Sequence, residues 1–286
     1  MSLIESLFGF LILALSHFGK LALIALGLAV IFGIMGIINF AHGEFILVGA
    51  YTTAMGYHAG FPLLLAIFVG GLAAGIFGLI VERLIIQHLY DRLIETLVAT
   101  WGVSLIVIQL VRIQFGGTFA GIHTPLGSIQ YGAFSASTYR IALAGAAIVL
   151  FASTYAIFMY TRYGLHSRAA MQNKEMAQCL GIPTKRVYMK TFFFGSVLSG
   201  IAGGLIAPTV SLTPDMGTNV LVEAFVTVIV GGANVIVGTS LAALSLGIIQ
   251  APASMLFGTL GGYLALLITT VLLIRVLPEG LTGVVE

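Results

Sequence analysis

The stretch GIMGIINFAHGEFILVGAYTTAMG, Gly33–Gly56, sets an amide, an imidazole and a carboxylate, Asn39, His42 and Glu44, within six positions of an otherwise lipid-compatible run. Glycines at 36 and 43 flank Asn39 and His42, with Glu44 directly after the second, and weaken any continuous helix through them. Backbone groups freed at membrane depth are tolerated only where side chains, water or neighbouring helices satisfy them. Asn39 carries both a donor and an acceptor for that task. The stretch therefore reads as a satisfied break between two helices in a membrane protein.

Composition agrees. The chain has 286 residues, 59% hydrophobic and 8% charged, with a mean hydropathy of +1.11, outside the soluble globular range. The apolar runs are long and do not alternate, which favours helices of roughly 20 residues over the ~10-residue alternating strands of a barrel. Spanning segments are expected at 21–38, 42–57, 62–81, 96–113, 139–160, 188–207, 220–236, 239–257 and 260–277. Residues 3–19 are expected to form a separate interfacial helix, with a short entry into the membrane as the alternative. The expected fold is a single all-α polytopic membrane domain over 1–286, with eight to ten transmembrane or partly re-entrant helices. No basic region precedes the first apolar stretch, so no cleaved signal is expected.

Small residues at four-residue spacing, Gly71 and Gly75 or Gly195, Ser199 and Gly203, read as close helix packing. A weak two-half repeat is visible. The order helix, break, helix, short turn, helix occurs around GIMGIINFAHG and again around VGGANVIVG and GTLGG. Glycine-interrupted segments at corresponding places in two halves point to a translocation path.

Lys and Arg set the orientation. Arg162, Arg168, Lys174, Lys185, Arg186 and Lys190 fall in 161–190, out of 12 basic residues in the chain. That loop is expected in the cytoplasm, together with Glu82–Glu95. The Gly-, Ser- and Thr-rich segment 114–138 is expected outside. Within the cytoplasmic loop 161–187, one helix is expected from Arg168 to Leu180, capped by Ser167 and stopped by Gly181 and Pro183. It presents Ala169, Ala170, Met176, Ala177 and Leu180 on one face and Arg168, Gln172, Asn173, Lys174, Glu175 and Gln178 on the other. Periodicity alone leaves two readings open, a helix on the bilayer surface and a helix docked in a partner's groove.

Glu44 and Glu223 are too costly to face lipid, at about 2.5–3.5 kcal/mol for a carboxylate at mid-membrane. Glu44 is expected to hydrogen-bond Asn39 or His42 before it touches any ligand, and Glu223 can sit at the outer interface. A polar, uncharged path is expected from Asn39, Thr100, Ser104 and Thr227, beside His42, Glu44 and Glu223. Other chemistry lacks a signature. There is no G-x-x-x-x-G-K-[ST] phosphate loop, and Ser196 and Ser199 have no following histidine. The histidines at 17, 42, 58, 88, 123 and 166 show no metal-ligand spacing. One cysteine, Cys179, excludes an internal disulfide, and a formal charge of +2 does not make a nucleic-acid surface.

INFAHGEFILVGAY, RAAMQNKEMAQCLGIPTKRV and FGSVLSGIAGGLIAP together resemble the permease subunits of the branched-chain amino acid family of ABC importers, over about Gly19 to Gly283. ETLVATWGVSLIVIQLVR, MAQCLGIPTKRV and TPDMG are more similar to urea and short-amide permeases than to leucine-type ones. The resemblance implies a non-enzymatic permease of the bacterial or archaeal cytoplasmic membrane, with no cofactor of its own. ATP and Mg would sit on separate ATPase subunits. It also implies a second permease subunit, identical or homologous, and a periplasmic or lipoprotein solute-binding protein. By the same implication, Arg168, Asn173, Lys174, Glu175, Gln178 and Gly181 belong to the coupling helix that enters the ATPase. The loop has RAAMQN where many importers spell E-A-A. The solute expected from the resemblance is urea or a short amide, the alternative a branched-chain amino acid, with a passive channel as the reading from another class.

Overall fold

The computed structural model describes residues 3–90, 92–131, 134–232 and 234–283. Asp91 of the charged 82–95 segment, Gly132 and Ala133 of the 114–138 loop and Ala233 of the VGGANVIVG break lie outside the described residues. The helices are α1 (Leu3–Met35), α2 (His42–His58), α3 (Leu63–Leu84), α4 (Leu93–Phe115), α5 (Thr138–Tyr160), α6 (Arg162–Gln172), α7 (Lys174–Cys179), α8 (Thr184–Ile206), α9 (Met216–Gly231) and α10 (Val235–Val276). A β-hairpin, β1 (Ser128–Tyr131) with β2 (Phe134–Ser137), precedes α5 and pairs Ser128 with Ser137. Among the described residues six helices are long and apolar enough to span, while α2 and α9 are shorter. The fold is an all-α polytopic membrane protein.

One expectation changes. Residues 3–19 do not form a separate interfacial helix: α1 runs 33 residues without interruption, because no Gly–Pro turn or polar run separates 3–19 from 21–35. At ~1.5 Å per residue it measures about 50 Å. The expected GTLGG turn is present: Gly258, at φ 71° and ψ −172°, ends the first leg of α10, which contains Pro252. A Cβ on Gly262 would lie 1.9 Å from Ser254 Oγ and 3.3 Å from Gln250 Cγ, so the second leg folds back along the first. One positive-φ glycine makes the turn between them.

Chain contacts resolve into two compact units. The first comprises residues 1–25, 123–151 and 223–286. Here Gly19 packs on the backbone of Leu143 and Ala144 in α5, and Gly247 of α10 on Ala14 and Phe18 of α1. Lys20 pairs with both carboxylate oxygens of Glu223 at 2.7 and 2.8 Å. The chain after α10 returns to the α9–α10 break, where the Leu281 N–H donates to the Val230 carbonyl at 2.9 Å. The Thr282 hydroxyl donates to the Gly231 carbonyl at 2.8 Å and accepts the Asn234 N–H at 3.0 Å. The second glycine break is thus satisfied by a tail distant in sequence.

The second unit comprises residues 26–122 and 152–222, with α2, α3 and α8 packed closely on one another. Its core includes Phe45, with Phe77 and Phe192 edge-on at 5.6 Å. Lipid offers no hydrophobic drive for helix association, so close approach must come from small residues. Gly71 and Gly75 of α3 face Ile201, Val197 and Phe193 of α8, and Gly195 and Ser199 of α8 face Gly27 of α1. The small-residue spacing is packing, as expected.

Gly203 gives the sharpest case: a Cβ there would lie 2.0 Å from the Ile46 carbonyl oxygen. Gly203→Val therefore destabilises the unit by at least about 1–3 kcal/mol. Gly102→Ala, where no atom lies within 4 Å of the added carbon, leaves the thermal midpoint in detergent unchanged or raised.

Candidate translocation site and coupling surface

The helix break at 36–41 is built as its sequence requires. Gly36 takes φ +64°, and its N–H donates to the Phe32 carbonyl at 2.8 Å, closing α1. Asn39 Oδ1 accepts the Ala41 N–H at 3.0 Å, an Asx turn. The Asn39 carbonyl accepts the His42 N–H at 3.3 Å, and the Ala41 carbonyl the Glu44 N–H at 3.1 Å, starting α2.

α4 supplies what the break lacks. Thr100 and Ser104, one turn apart on the same helix face, each reach toward it. Thr100 Oγ1 accepts the Phe40 N–H at 3.0 Å and donates to the Leu97 carbonyl at 3.0 Å. Ser104 Oγ donates to Glu44 Oε1 at 2.8 Å. The partner of Glu44 is therefore Ser104, not Asn39 or His42, because the α2 start turns the carboxylate toward α4. Asn39, His42 and Thr100 are fully buried, and Glu44 nearly so. Asn39 Nδ2, Glu44 Oε2 and the Tyr51 hydroxyl are buried without a hydrogen-bond partner among the described residues.

His42 Nδ1 lies 3.4 Å from Ser199 Oγ, which donates to the Gly195 carbonyl at 2.8 Å. The serine and histidine meet, but the hydroxyl is committed to its own helix and packs against Gly27. Among the described residues no cluster of three or more His, Cys, Asp or Glu could hold a metal.

Of the candidate path residues, Asn39, His42, Glu44, Thr100 and Ser104 come together in the second unit. Glu223 and Thr227 belong to the first. There the Glu223 carboxylate is occupied by Lys20 and the Thr227 hydroxyl by the Glu223 carbonyl at 2.7 Å. The ion pair with Lys20 offsets part of the cost of burying the carboxylate.

One cluster was not singled out from the sequence. Arg112 at the end of α4 holds Asp215 at 2.9 and 3.0 Å. Tyr51 packs on Phe115 and Phe119, with centroids 5.3 and 5.6 Å away. The Phe119 N–H donates to the Leu212 carbonyl at 2.9 Å. Arg112 and Asp215, each ordinary alone, are 103 residues apart, so only the fold joins them; an arginine closing an apolar span was the available signal.

At the opposite end of the same bundle, the α3–α4 turn meets the 161–187 loop, two segments that basic-residue counting places on one side. The loop is not one helix from Arg168 to Leu180. Asn173 breaks it, taking φ −156° and capping α7 by accepting the Met176 N–H at 2.8 Å. Asn forms local side-chain bonds that compete with continuing a helix. Ser167 is no cap; it is buried inside α6 and donates to the Tyr163 carbonyl, while Thr161 caps α6. Arg168 also lies on α6 and donates back to the Phe158 carbonyl. The expected stop holds: Gly181 at φ +82° donates to the Gln178 carbonyl and the Ile182 N–H to that of Ala177, a Schellman ending.

The small residues Ala170 and Ala177 turn inward, against a cluster containing Val187 and Tyr188 for the former, whereas Met176 and Leu180 remain 57% and 74% exposed. Lys174 lies 5.9 Å over the Tyr90 ring, Gln178 Nε2 donates to Thr184 Oγ1 at 2.7 Å, and Glu175 is exposed. Burial and the neighbouring Glu82 push the Tyr90 phenol well above its ordinary value, so it stays a neutral donor.

The chain is a polytopic helical protein with a polar break between α1 and α2 and a capped helix pair in the same unit. The chain belongs to the family described as branched-chain amino acid transport system / permease component, whose model matches residues 10–277. It is 29% identical to the high-affinity branched-chain amino acid transport system permease protein LivH of Escherichia coli (strain K12), over 92% of this chain and 91% of the relative. It is 25% identical to the probable LivH of Methanocaldococcus jannaschii, over 95% and 91%. With BraD of Pseudomonas aeruginosa it shares 28% identity over 83% of each chain. No solved structure matches.

Thr100→Val and Ser104→Ala each strand a buried polar group at the break. Each is expected to lower stability by about 1–3 kcal/mol in detergent unfolding. Asn173→Ala removes the α7 cap and is expected to cost about 1 kcal/mol, raising amide exchange in 174–179 while the membrane helices stay protected.

Proposed function

We propose that this chain is a membrane-spanning permease subunit of an ATP-driven importer of branched-chain amino acids, and that the 36–44 break forms part of the solute path. The observation that carries the solute assignment is how the hydroxyls are used. An uncharged urea path would rely on Thr100 and Ser104, yet both are committed, one to the Phe40 N–H and one to Glu44. On α2 and the break before it, the buried side-chain atoms without a hydrogen-bond partner among the described residues are Glu44 Oε2, the Asn39 amide nitrogen and the Tyr51 hydroxyl. A carboxylate oxygen suits a substrate ammonium, and N–H and O–H donors suit a substrate carboxylate. Ile37, Val103, Val107 and Ile122 belong to the core around these residues and give an aliphatic side chain an apolar wall. The names of the relatives support the same solute class.

On this reading Arg112–Asp215 and the Tyr51, Phe115 and Phe119 rings close one end of the path. An exposed ion pair worth about 0–1 kcal/mol opens readily, which suits a gate better than a structural tie. Separate ATPase subunits bind α7 through Met176, Leu180 and Glu175. Their ATP-dependent closure shifts the permease between two access states by differential binding. A second permease and a solute-binding protein complete the importer.

The test is uptake of labelled leucine, urea and acetamide into vesicles carrying the full assembly, with and without ATP. Leucine is expected to accumulate only with ATP, and Glu44→Gln to lower that uptake about tenfold or more while the assembly stays intact. Urea uptake without leucine uptake overturns the solute assignment, and ATP-independent flux through this chain alone overturns the importer.

A further inference from the structure

A cleft of about 680 Å³ opens between the α3–α4 turn and the coupling loop, lined by Gln87 and Tyr90 on one side and chiefly by Lys174, Glu175, Lys185 and Tyr188 on the other. Its chemistry is cationic. Two ammonium groups, Lys174 and Lys185, face one carboxylate, Glu175, and the next cations along α8, Arg186 and Lys190, are exposed. Its floor is tied to three elements through one residue. The Tyr90 hydroxyl donates to Glu82, a nearly fully buried carboxylate in the last turn of α3. The Tyr90 ring lies beneath the Lys174 ammonium of α7 and stands edge-on to Tyr188 of α8 at 5.3 Å. A lysine over an aromatic face is held in place without losing its charge.

We propose that this cleft is a second seat for the ATPase partner beside α7, that it takes an acidic segment of that subunit, and that Tyr90 carries the seating to α3. The inference rests on the importer reading above. A positively charged, partly enclosed surface selects an anionic occupant and speeds its docking. An occupant pressing on Lys174 displaces the Tyr90 ring, and the bond to Glu82 passes that displacement to α3, which packs along α2 and α8. The α3–α4 turn thus becomes part of the transmission, where the sequence motifs point to the 161–187 loop alone.

The test measures ATPase-subunit affinity for the permease assembly in nanodiscs over a range of salt. Variants are Lys185→Glu, Lys174→Glu/Lys185→Glu, Tyr90→Phe, and Met176→Ala/Leu180→Ala on α7. The double charge reversal is expected to weaken affinity about tenfold at 0.15 M salt, the single one less, with the difference shrinking as salt rises. Tyr90→Phe, which strands the buried Glu82 carboxylate, is expected to lower the thermal midpoint, to keep ATPase affinity, and to lower leucine transported per ATP hydrolysed several-fold. Unchanged affinity in both charge-reversed variants, with the α7 variant dissociating, overturns the proposal and leaves the importer reading standing. If the α7 variant also binds normally, both fail. A reversal effect seen only in nanodiscs with anionic lipid assigns the cleft to a lipid headgroup and overturns the proposal. Normal coupling in Tyr90→Phe overturns the role given to Tyr90.

Discussion

Everything in the second unit depends on satisfying a broken helix inside an apolar bundle. α1 ends at Met35 and α2 starts at His42, and the peptide groups between them have no water-like surroundings to fall back on. Asn39 closes one turn of the break from within. Thr100 receives the Phe40 N–H from outside it, and Ser104 fixes the Glu44 carboxylate one turn along α4. Moving α4 by one residue would unmake both bonds. The polar break therefore sets the α4 register and leaves one carboxylate oxygen of Glu44 and the amide nitrogen of Asn39 without a hydrogen-bond partner among the described residues.

The close helix contacts make that arrangement rigid. Gly49 and Gly203 bring α2 within backbone distance of α8, and close-packed interiors switch between discrete arrangements more readily than they deform. The α2–α3–α8 core joins a capped helix pair at one end and an exposed ion pair and aromatic rings at the other; on the proposed function, a push at α7 opens Arg112–Asp215 through it. On the proposed coupling, the Glu82–Tyr90–Lys174 contacts are the link at the α7 end.

Much of this was legible in the sequence, because membrane constraints are strong and local. The apolar spans, the break at Asn39, the packing glycines, the basic loop and the Gly181 stop each follow from a few adjacent residues. What was not legible depended on partners distant in sequence. Glu44 pairs with Ser104 sixty positions away, Glu223 with Lys20, and Arg112 with Asp215. Asn173 was read as a polar-face residue, though as an efficient cap it splits the loop helix in two. Thr100 and Ser104 read from the sequence as uncharged path residues, and only the fold shows their hydroxyls bonded to the Phe40 N–H and to Glu44.

The central claim is that the Asn39–Glu44–Ser104 site lies on the solute path. Cys179 is the chain's single cysteine, so Cys179→Ser/Ser104→Cys places one thiol at the site. The decisive measurement is its labelling rate by a small hydrophilic thiol reagent in the reconstituted importer. Labelling is expected to be slow at rest, to accelerate during ATP turnover, and to be suppressed by saturating leucine. A rate indifferent to both ATP and leucine contradicts the claim.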